Sequence, residues 1–290
     1  MPRQMQPGAL SMVDTNDTMV RLDGAIVQHG RSNDRVYLMD IGSADASLLV
    51  PKLLDLANER GYGKIFTKIP RSVSAPFLEA GFLVEATAGK LFHGQEEGLF
   101  LGKFLDEKRQ DEVLASEYER VQRLAFSTNH AMARQEDTVR LCSKQDAASM
   151  AKLYAKVFDS YPFPIDDPSF IMKTMDEGTV YAGIEEDGAL VALASGECSF
   201  KEDTRYSEMT DFATLPEKRG NGYALLLLAF LEEELKKRGI LTAYTIARAI
   251  SPGMNITFAK AGYAYGGRLH NNTNIAGNIE SMNVWYKSLV

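Results

Sequence analysis

Two kinds of apolar pattern alternate along the first half of the chain. Segments of β-type composition are separated by segments whose apolar residues recur at helical spacing, and glycine or proline often marks the change. The strand-like segments are 19–27, 35–41, 64–69 and 82–85. The helix-like segments are 43–60, which Gly61 ends, and 74–80. This alternation predicts an α/β unit.

The second half of the chain repeats the alternation. Its strand-like segments are 138–142, 180–185, 190–200 and the stretch around Glu208, the second and third forming a hairpin over Glu186-Asp187-Gly188. Its helix-like segments are 146–158, 170–175 and the apolar run that begins at Ala224. Between the first two helices, Pro162, Pro164 and Pro168 predict an irregular, stiff loop over 159–168. A second α/β unit is therefore expected.

Composition shifts give the domain boundaries. Residues 105–126 are charged and helix-prone, and residues 127–136 are polar and irregular. We therefore predict four parts, in order: a loose tail at 1–18, an α/β domain at 19–104, a connecting helix and linker at 105–136, and a second α/β domain at 137–290.

The overall composition is that of a globular protein. Of the 290 residues, 45% are hydrophobic and 24% charged, and no apolar run reaches the roughly 18 residues of a transmembrane helix. The residues before Met12 have no secretion-signal pattern, and two cysteines are too few for a disulfide framework, so we expect a cytoplasmic protein without a membrane partner. The net charge of −7 argues mildly against nucleic acid, although solubility alone would also select it. The four scattered histidines predict no metal site.

The most informative stretch runs from Glu208 to Ala224. It predicts a strand followed by a loop, in which Arg219, Gly220 and Gly222 precede a long apolar helix. A helix N-terminus with glycines and a cation binds phosphate, because its first N–H groups have no intrahelical partner. The cations precede the glycines, which excludes a Walker loop, and a dinucleotide fingerprint lacks its third glycine, since Leu225 stands there.

The loop resembles the pyrophosphate loop of the GNAT superfamily of acyl-coenzyme A N-acyltransferases. Arg219-x-x-Gly222-x-Ala224 matches the motif, and Asn255-Ile-Thr-Phe258-Ala-Lys-Ala-Gly262-Tyr263 matches a later segment of that superfamily. The resemblance covers about 138–290 and implies a mixed central sheet flanked by helices, with acetyl-CoA as cosubstrate and no metal. The residues it implies for coenzyme binding are Phe212, Ala213, Thr214, Leu215, Arg219, Gly220, Asn221, Gly222, Tyr223, Ala224, Asn255 and Phe258. For Asn255, a helix N-cap is an equal alternative.

The first domain resembles a degraded copy of the second. Segments 54–61 and 77–82 match 231–239 and 258–263, each as a helix end, a glycine and the start of a strand. Residues 41–46 stand where the phosphate loop should be, so no coenzyme site is expected there. The alternative is that such units resemble one another in any α/β protein. A scaffold or a homodimer surface is the expected role of this GNAT-like domain.

A closer resemblance is to the β-lysine N-acetyltransferases. It rests on Tyr161-Pro-Phe-Pro-Ile165 and Ala247-Arg-Ala249, together with segments 209–214, 271–275 and 279–287. It implies acetylation of the ε-amine of β-lysine, which gives a compatible solute. The alternatives are another small amine or amino acid, such as lysine, ornithine or a polyamine, and a non-catalytic acyl-CoA sensor. Protein acetylation is disfavoured, because the prolines and aromatics of 159–168 suggest a closed pocket.

Acetylating an amine requires a base, because an alkyl ammonium cannot attack a thioester until it loses a proton. Glu208 stands eleven residues before Arg219, as the base does in histone-acetylating GNAT enzymes, and is the predicted base. Asp211 is the substitute, although on a regular strand it would face the opposite side. Phe258 occupies the position of the usual acid tyrosine. Tyr263, Tyr265 or Ser251 could replace that acid, but a thiol of pKa about 8.5 leaves without one, and we favour this.

The candidate substrate contacts come from three places. Tyr161, Phe163, Asp166 and Asp167 on the proline loop could line the alkyl chain and hold a second ammonium. Arg248 could clamp the carboxylate, and Asn271 and Asn272 could add hydrogen bonds. Taken singly, each residue is better explained as surface or scaffold, so the prediction rests on the group.

Overall fold

The computed structural model describes residues 17–131, 138–158, 161, 163–201, 204–275 and 277–290. Most of the predicted tail, part of the predicted linker and three residues of the proline loop (159, 160 and 162) lie outside the described residues. None of the described helices is long and apolar enough to span a membrane. Among the described residues, no group of His, Cys, Asp and Glu side chains is arranged to hold a metal ion.

The first half of the chain forms six strands and two helices. The strands are β1 (Thr18–Leu22), β2 (Ala25–Gly30), β3 (Arg35–Asp40), β4 (Lys64–Pro70), β5 (Leu83–Phe92) and β6 (Glu96–Phe104). The helices are α1 (Ala46–Arg60) and α2 (Ala75–Glu79), followed by the connecting helix α3 (Ala115–Phe126). The segment predicted as one strand at 19–27 is instead a hairpin, because Asp23 and Gly24 adopt positive φ and turn the chain.

The second half forms seven strands and four helices. The strands are β7 (Val139–Leu141), β8 (Val180–Glu186), β9 (Ala189–Ser199), β10 (Tyr206–Thr214), β11 (Thr242–Arg248), β12 (Ala264–Ile275) and β13 (Asn278–Ser288). The helices are α4 (Ala147–Val157), α5 (Pro168–Asp176), α6 (Tyr223–Lys237) and α7 (Pro252–Lys260). Pro168 begins α5 rather than interrupting it, since the first helical position needs no N–H donor.

All thirteen strands belong to one mixed sheet, in the order β1-β2-β3-β4-β6-β5-β12-β13-β11-β10-β9-β8-β7. Each half has the same plan. The strand before the long helix pairs in parallel with the strand after it, β3 with β4 and β10 with β11. The second strand of the last hairpin, β6 or β13, then pairs antiparallel with the other side of β4 or β11. The two halves therefore run in mirrored order from the β5–β12 junction. The α/β class is confirmed, and the two halves share one order of strands.

The junction between the halves is narrow. β5 and β12 pair where Gly267 lies opposite Ala86, and side chains are excluded there. A Cβ on Gly266 would lie 2.1 Å from the carbonyl oxygen of Thr87, and one on Gly267 2.4 Å from that of Glu85. Glycine at both positions therefore lets the two backbones approach closely enough to join the halves into one sheet.

The two halves of the sheet also face each other. Helices α1 and α2 cover the outer side of the first half, and α6 and α7 cover that of the second. The inner faces share an aromatic core, in which Phe100 packs 5.8 Å from Tyr244 and Phe92 packs 5.6 Å from Tyr206, centroid to centroid. Burial of these rings holds the first half against strands β10 and β11 of the second.

Candidate active site

A cavity lies between the facing halves, where β10 and β11 separate. The two strands pair from Tyr206 to Glu208 and then diverge, and β10 bulges between Thr210 and Ala213. Two adjoining chambers of about 230 and 680 Å³ open there, large enough for a small molecule. Both halves of the chain line them. The residues shared by the two chambers are Tyr37, Met39, Phe163, Glu197, Glu208 and Asp211.

Three carboxyl groups converge on this cavity. Glu208 lies directly opposite Glu197 on the neighbouring strand β9, and Asp211 follows one bulge later. Asp211 was expected to face away from Glu208, and this expectation is wrong, because it assumed a regular strand. At φ +54°, Asp211 sits in the β10 bulge, which turns its side chain into the same cavity.

Each of the three carboxyl groups has a different environment. Asp211 is buried and accepts hydrogen bonds from the hydroxyls of Tyr161 and Ser195, both at 2.6 Å. Glu208 accepts one from the hydroxyl of Tyr244, at 2.6 Å. Glu197 is open to the cavity and has no hydrogen-bond or ion-pair partner among the described residues. Glu197 is therefore the carboxylate most available to a cationic ligand.

Enclosure by protein sets the protonation of these groups. Burial, before any other cause, raises the pKa of Glu208 and of Asp211 above the usual carboxyl range. Burial also raises the pKa of Glu197, and the nearby Asp211 and Glu208 add to this effect. Three carboxylates in one cavity repel one another, so a bound ammonium would relieve the repulsion.

A hydrogen-bonded chain from the first half reaches Glu208. The Lys68 ammonium, on β4, donates to the Tyr244 hydroxyl at 2.6 Å, and that hydroxyl donates to Glu208. The Lys68 ammonium lies between the rings of Tyr206 and Tyr244, 4.6 and 4.9 Å from their centroids. Lys68 and the Tyr244 hydrogen bond both lower the pKa of Glu208, against the larger effect of burial. The first half of the chain thus orients the predicted base.

The predicted phosphate loop has the form that its sequence suggests. Gly220 and Gly222 have φ values of +90° and +79°, and no atom lies within 4 Å of a Cβ built on either residue. No side chain caps the N-terminus of α6. Arg219 and Asn221 are exposed, whereas Tyr223 and Lys218 both contact Glu186 on β8. The open backbone at a helix N-terminus fits a diphosphate, with Ala224 in the first turn.

The diverging edge of β10 fits an extended ligand arm. Ala213 and Thr214 pair with β9, and the Leu215 N–H donates to the Val191 carbonyl, so their other edge faces the gap toward β11. Phe212 lines the gap and packs edge to face on Phe258, 5.7 Å between centroids. This free strand edge can pair with an extended ligand.

Asn255 has neither of its two expected roles. Its amide nitrogen donates to the carbonyls of Arg248 and Ser251, at 3.0 and 2.7 Å. Its amide oxygen accepts from the Asn283 amide and the Trp285 indole, at 2.8 and 2.9 Å. With all four positions in use, the fully buried side chain joins α7 to β11 and β13 and has no donor or acceptor left for pantetheine. The N-cap residue of α7 is Ser251.

The structure does not bring the candidate acids together at the cavity. Tyr263 packs in the core below α7 against Phe258, and Tyr265 packs on Trp285, and neither lines a chamber. Tyr263 as a catalytic residue is therefore not supported. Ser251 does line the cavity.

The predicted substrate residues divide into two groups. Tyr161, Phe163, Arg248 and Asn272 line the cavity. Asp166 and Asp167 are exposed outside it, and Asp167 caps α5 by accepting from the Ser169 N–H. Asn271 instead donates to the carbonyls of Arg109 and Asp111, and so joins β12 to the segment that precedes α3.

Arg248 is already engaged. Its guanidinium donates to both carboxylate oxygens of Glu280, at 2.8 and 2.6 Å. Because a bidentate pair satisfies the planar fork, Arg248 is a poor candidate for the carboxylate clamp predicted from the sequence.

The sequence pattern gave no sign of several cavity residues. They are Arg35, Tyr37, Lys68, Glu197 and Tyr244. Three of them come from the first half, and the packing of the halves, not a local motif, brings them to the site.

Comparison with known proteins agrees with this geometry. Residues 147–262 match the Acetyltransferase (GNAT) family. Over 276 residues, 93% of this chain and 98% of the relative, the chain is 37% identical to the β-lysine N(6)-acetyltransferase of Methanococcus maripaludis. The chain therefore belongs to the GNAT family of acetyltransferases, and acetyl-CoA is its acetyl donor.

Two further relatives extend this result. A second β-lysine N(6)-acetyltransferase, from Methanosarcina mazei, is 41% identical over 152 residues, 52% of this chain and 55% of the relative. The N-acetyltransferase YodP of Bacillus subtilis is 32% identical over 282 residues, 91% of this chain and 96% of the relative. The resemblance to the β-lysine N-acetyltransferases is thus confirmed, and it extends through the first half of the chain.

Proposed function

We propose that the protein transfers an acetyl group from acetyl-CoA to the ε-amine (N6) of β-lysine, by direct attack of the amine while both substrates are bound. The observation that carries the proposal is the convergence of Glu197, Glu208 and Asp211 on one cavity between the two halves of the chain. A small diamine matches this cluster, and the full-length similarity to a β-lysine N(6)-acetyltransferase supports the choice of amine.

In this proposal Glu208 removes the proton that blocks attack. Because its pKa is raised, the Glu208 carboxylate is a stronger base than an ordinary carboxylate, and its pKa lies nearer that of the ammonium it deprotonates. Tyr244 and Lys68 fix its orientation, and Asp211, held by Tyr161 and Ser195, adds negative charge that draws the ammonium in. Glu197 is left free for the second ammonium of the substrate.

The coenzyme supplies an acetyl thioester, to which the free amine adds. Gly220, Gly222 and the N-terminus of α6 would hold its diphosphate, and the open edge of β10 its pantetheine arm. N–H groups at the β10 bulge near Phe212 would face the thioester oxygen. The thiolate would leave without a protein acid, since a thiol of pKa about 8.5 needs none.

The proposal assigns the two halves different tasks. The domain at 137–290 would hold the coenzyme and the base, and the domain at 19–104 would close the substrate cavity through Arg35, Tyr37 and Lys68. The unpaired thiols of Cys142 and Cys198 accord with a cytoplasmic setting.

Release of the coenzyme thiol tests the function. The wild-type protein is assayed with β-lysine, lysine, ornithine and spermidine at equal concentration. We expect the largest kcat/KM with β-lysine. Equal inactivity with all four amines would refute the proposed reaction, and a preference for spermidine would refute the amino-acid substrate.

A further inference from the structure

Arg35 is a buried cation without an anionic partner. Its side chain, on β3, is 6% exposed, and no carboxylate of the described residues forms an ion pair with it. One terminal nitrogen donates to the Asn272 carbonyl and to the Thr273 hydroxyl, whereas the buried Nε has no hydrogen-bond partner there. The guanidinium stacks near the rings of Tyr37 and Phe66, 5.1 and 5.7 Å from their centroids.

The neighbouring side chain is equally unsatisfied. Asn272 is 1% exposed, and both its amide nitrogen and its amide oxygen lack a partner among the described residues. It lies where β12 changes register between Leu269 and Thr273, and both Asn272 and Arg35 line the cavity. The β12 bulge therefore places an amide without partners beside a guanidinium whose Nε–H has none.

Such an arrangement is costly unless a ligand completes it. A buried polar group without a partner destabilises the fold, and a buried charge without one destabilises it more. A planar guanidinium with a free N–H and an adjacent amide donor matches a carboxylate. Together these groups fit the end of an amino acid rather than a simple polyamine.

We propose that Arg35 and Asn272 bind the carboxylate of the substrate, so that the first half of the chain selects an amino acid over a plain diamine. The inference rests on the proposed function. It places the carboxylate at the Arg35 end of the cavity, and the reacting amine at Glu208. It also replaces Arg248, which Glu280 already occupies.

The test compares β-lysine with its carboxamide, 3,6-diaminohexanamide, in the wild-type protein and in Arg35→Gln. The wild-type protein is expected to prefer the acid by on the order of 10–100-fold in kcat/KM. One or two charge-assisted hydrogen bonds to the carboxylate would give a preference of this size. Arg35→Gln should lose this preference, because it should slow turnover of the acid far more than turnover of the amide. Arg35→Lys, which keeps the charge but not the fork, should lie between them.

Arg248→Gln is the matched control, because it removes a second arginine of the same cavity and should keep the preference. Calorimetric titration of both compounds into the CoA-loaded protein gives the same comparison without turnover. Equal binding of acid and amide by the wild-type protein would overturn the carboxylate site even if acetylation occurs. Tighter binding of the acid without any acetylation would instead sustain the site and refute the proposed reaction.

Discussion

Glu197 and Glu208 occupy directly opposed positions on β9 and β10, and both side chains enter the cavity between the two halves of the sheet. Like charges at opposed positions destabilise a sheet. Glu197 forms no hydrogen bond or ion pair with the described residues, and the nearby Lys68 ammonium offsets only part of the repulsion. The pair is therefore better explained by the ligand it receives than by the stability of the fold.

Replacing Glu197 by Gln should stabilise the free protein while weakening substrate binding. Burial and neighbouring carboxyls raise the pKa of Glu197 in the folded state. The ionised Glu197 side chain therefore lowers the stability of the folded wild-type protein, and this effect is complete above the folded-state pKa. The effect disappears as pH falls toward the pKa of a glutamate in the unfolded chain, about 4.3. The gain in Tm should be largest near pH 9 and vanish near pH 4, and KM for the amine should rise.

Thermal unfolding at a series of pH values checks this, with Glu59→Gln as the control. Glu59 is an exposed residue of α1, and its replacement should change Tm little at any pH. A Glu197→Gln protein that is less stable than the wild type at pH 9, or whose KM is unchanged, would contradict the assignment.

Glu208→Gln should abolish most of the turnover and spare the coenzyme site. Loss of a general base typically costs about 10²–10⁴-fold, here in kcat. Glutamine keeps the size of the side chain and can still accept from Tyr244. CoA affinity, measured by calorimetry, should stay within about two-fold, because the loop at Gly220 and Gly222 is untouched. Wild-type kcat in this variant would rule out Glu208 as the base.

Lys68→Met should move the acid limb of the pH–rate profile. Lys68 lowers the pKa of Glu208, so its removal should raise that pKa and shift the loss of kcat/KM to higher pH. Tyr244→Phe should shift the limb in the same direction, because the lost hydrogen bond also lowers the pKa of Glu208.

The control is Lys103→Met on the adjacent strand β6. The Lys103 ammonium donates to the Ala80 carbonyl rather than to the cavity, so the acid limb should stay in place. An unchanged profile in both Lys68→Met and Tyr244→Phe would show that the hydrogen-bonded chain does not act on the base.

Gly222→Ala should impair coenzyme binding. Gly222 precedes α6 with φ +79°, and Gly239 follows it with φ +80°, so alanine strains the backbone alike at both ends. Each variant should lose on the order of 1–2 kcal/mol of stability. Only Gly222→Ala should raise KM for acetyl-CoA, on the order of ten-fold, because its Cβ obstructs the diphosphate. An equal rise with Gly239→Ala would trace the effect to α6 stability instead.

Local patterns predicted those parts of the site that one segment builds. Glu208, the phosphate loop and the start of α6 are contiguous in the chain. Their relative positions could therefore be predicted from residues 208–224 alone. The repeat of helix, glycine and strand likewise indicated that both halves share one plan. The pattern of residues 96–104 was less informative, because two glutamates and two glycines obscure the alternation of β6.

The remaining site residues depend on contacts distant in sequence. Arg35 and Lys68 reach the cavity only because the first half of the sheet packs on β10 and β11, and no motif near either residue records that packing. Asp211 was misplaced because a bulge changes the strand period. Asn255 and Arg248 were assigned to ligands because only their partners, Trp285, Asn283 and Glu280, reveal that their hydrogen-bonding groups are already used.

The most direct test of the account is the structure of the product formed from acetyl-CoA and β-lysine. Both amines of β-lysine can accept an acetyl group, and NMR of the isolated product distinguishes them. The account predicts N6-acetyl-β-lysine alone, formed by the wild-type protein and not by Glu208→Gln. Acetylation at N3, or turnover of another amine while β-lysine remains unmodified, would contradict it.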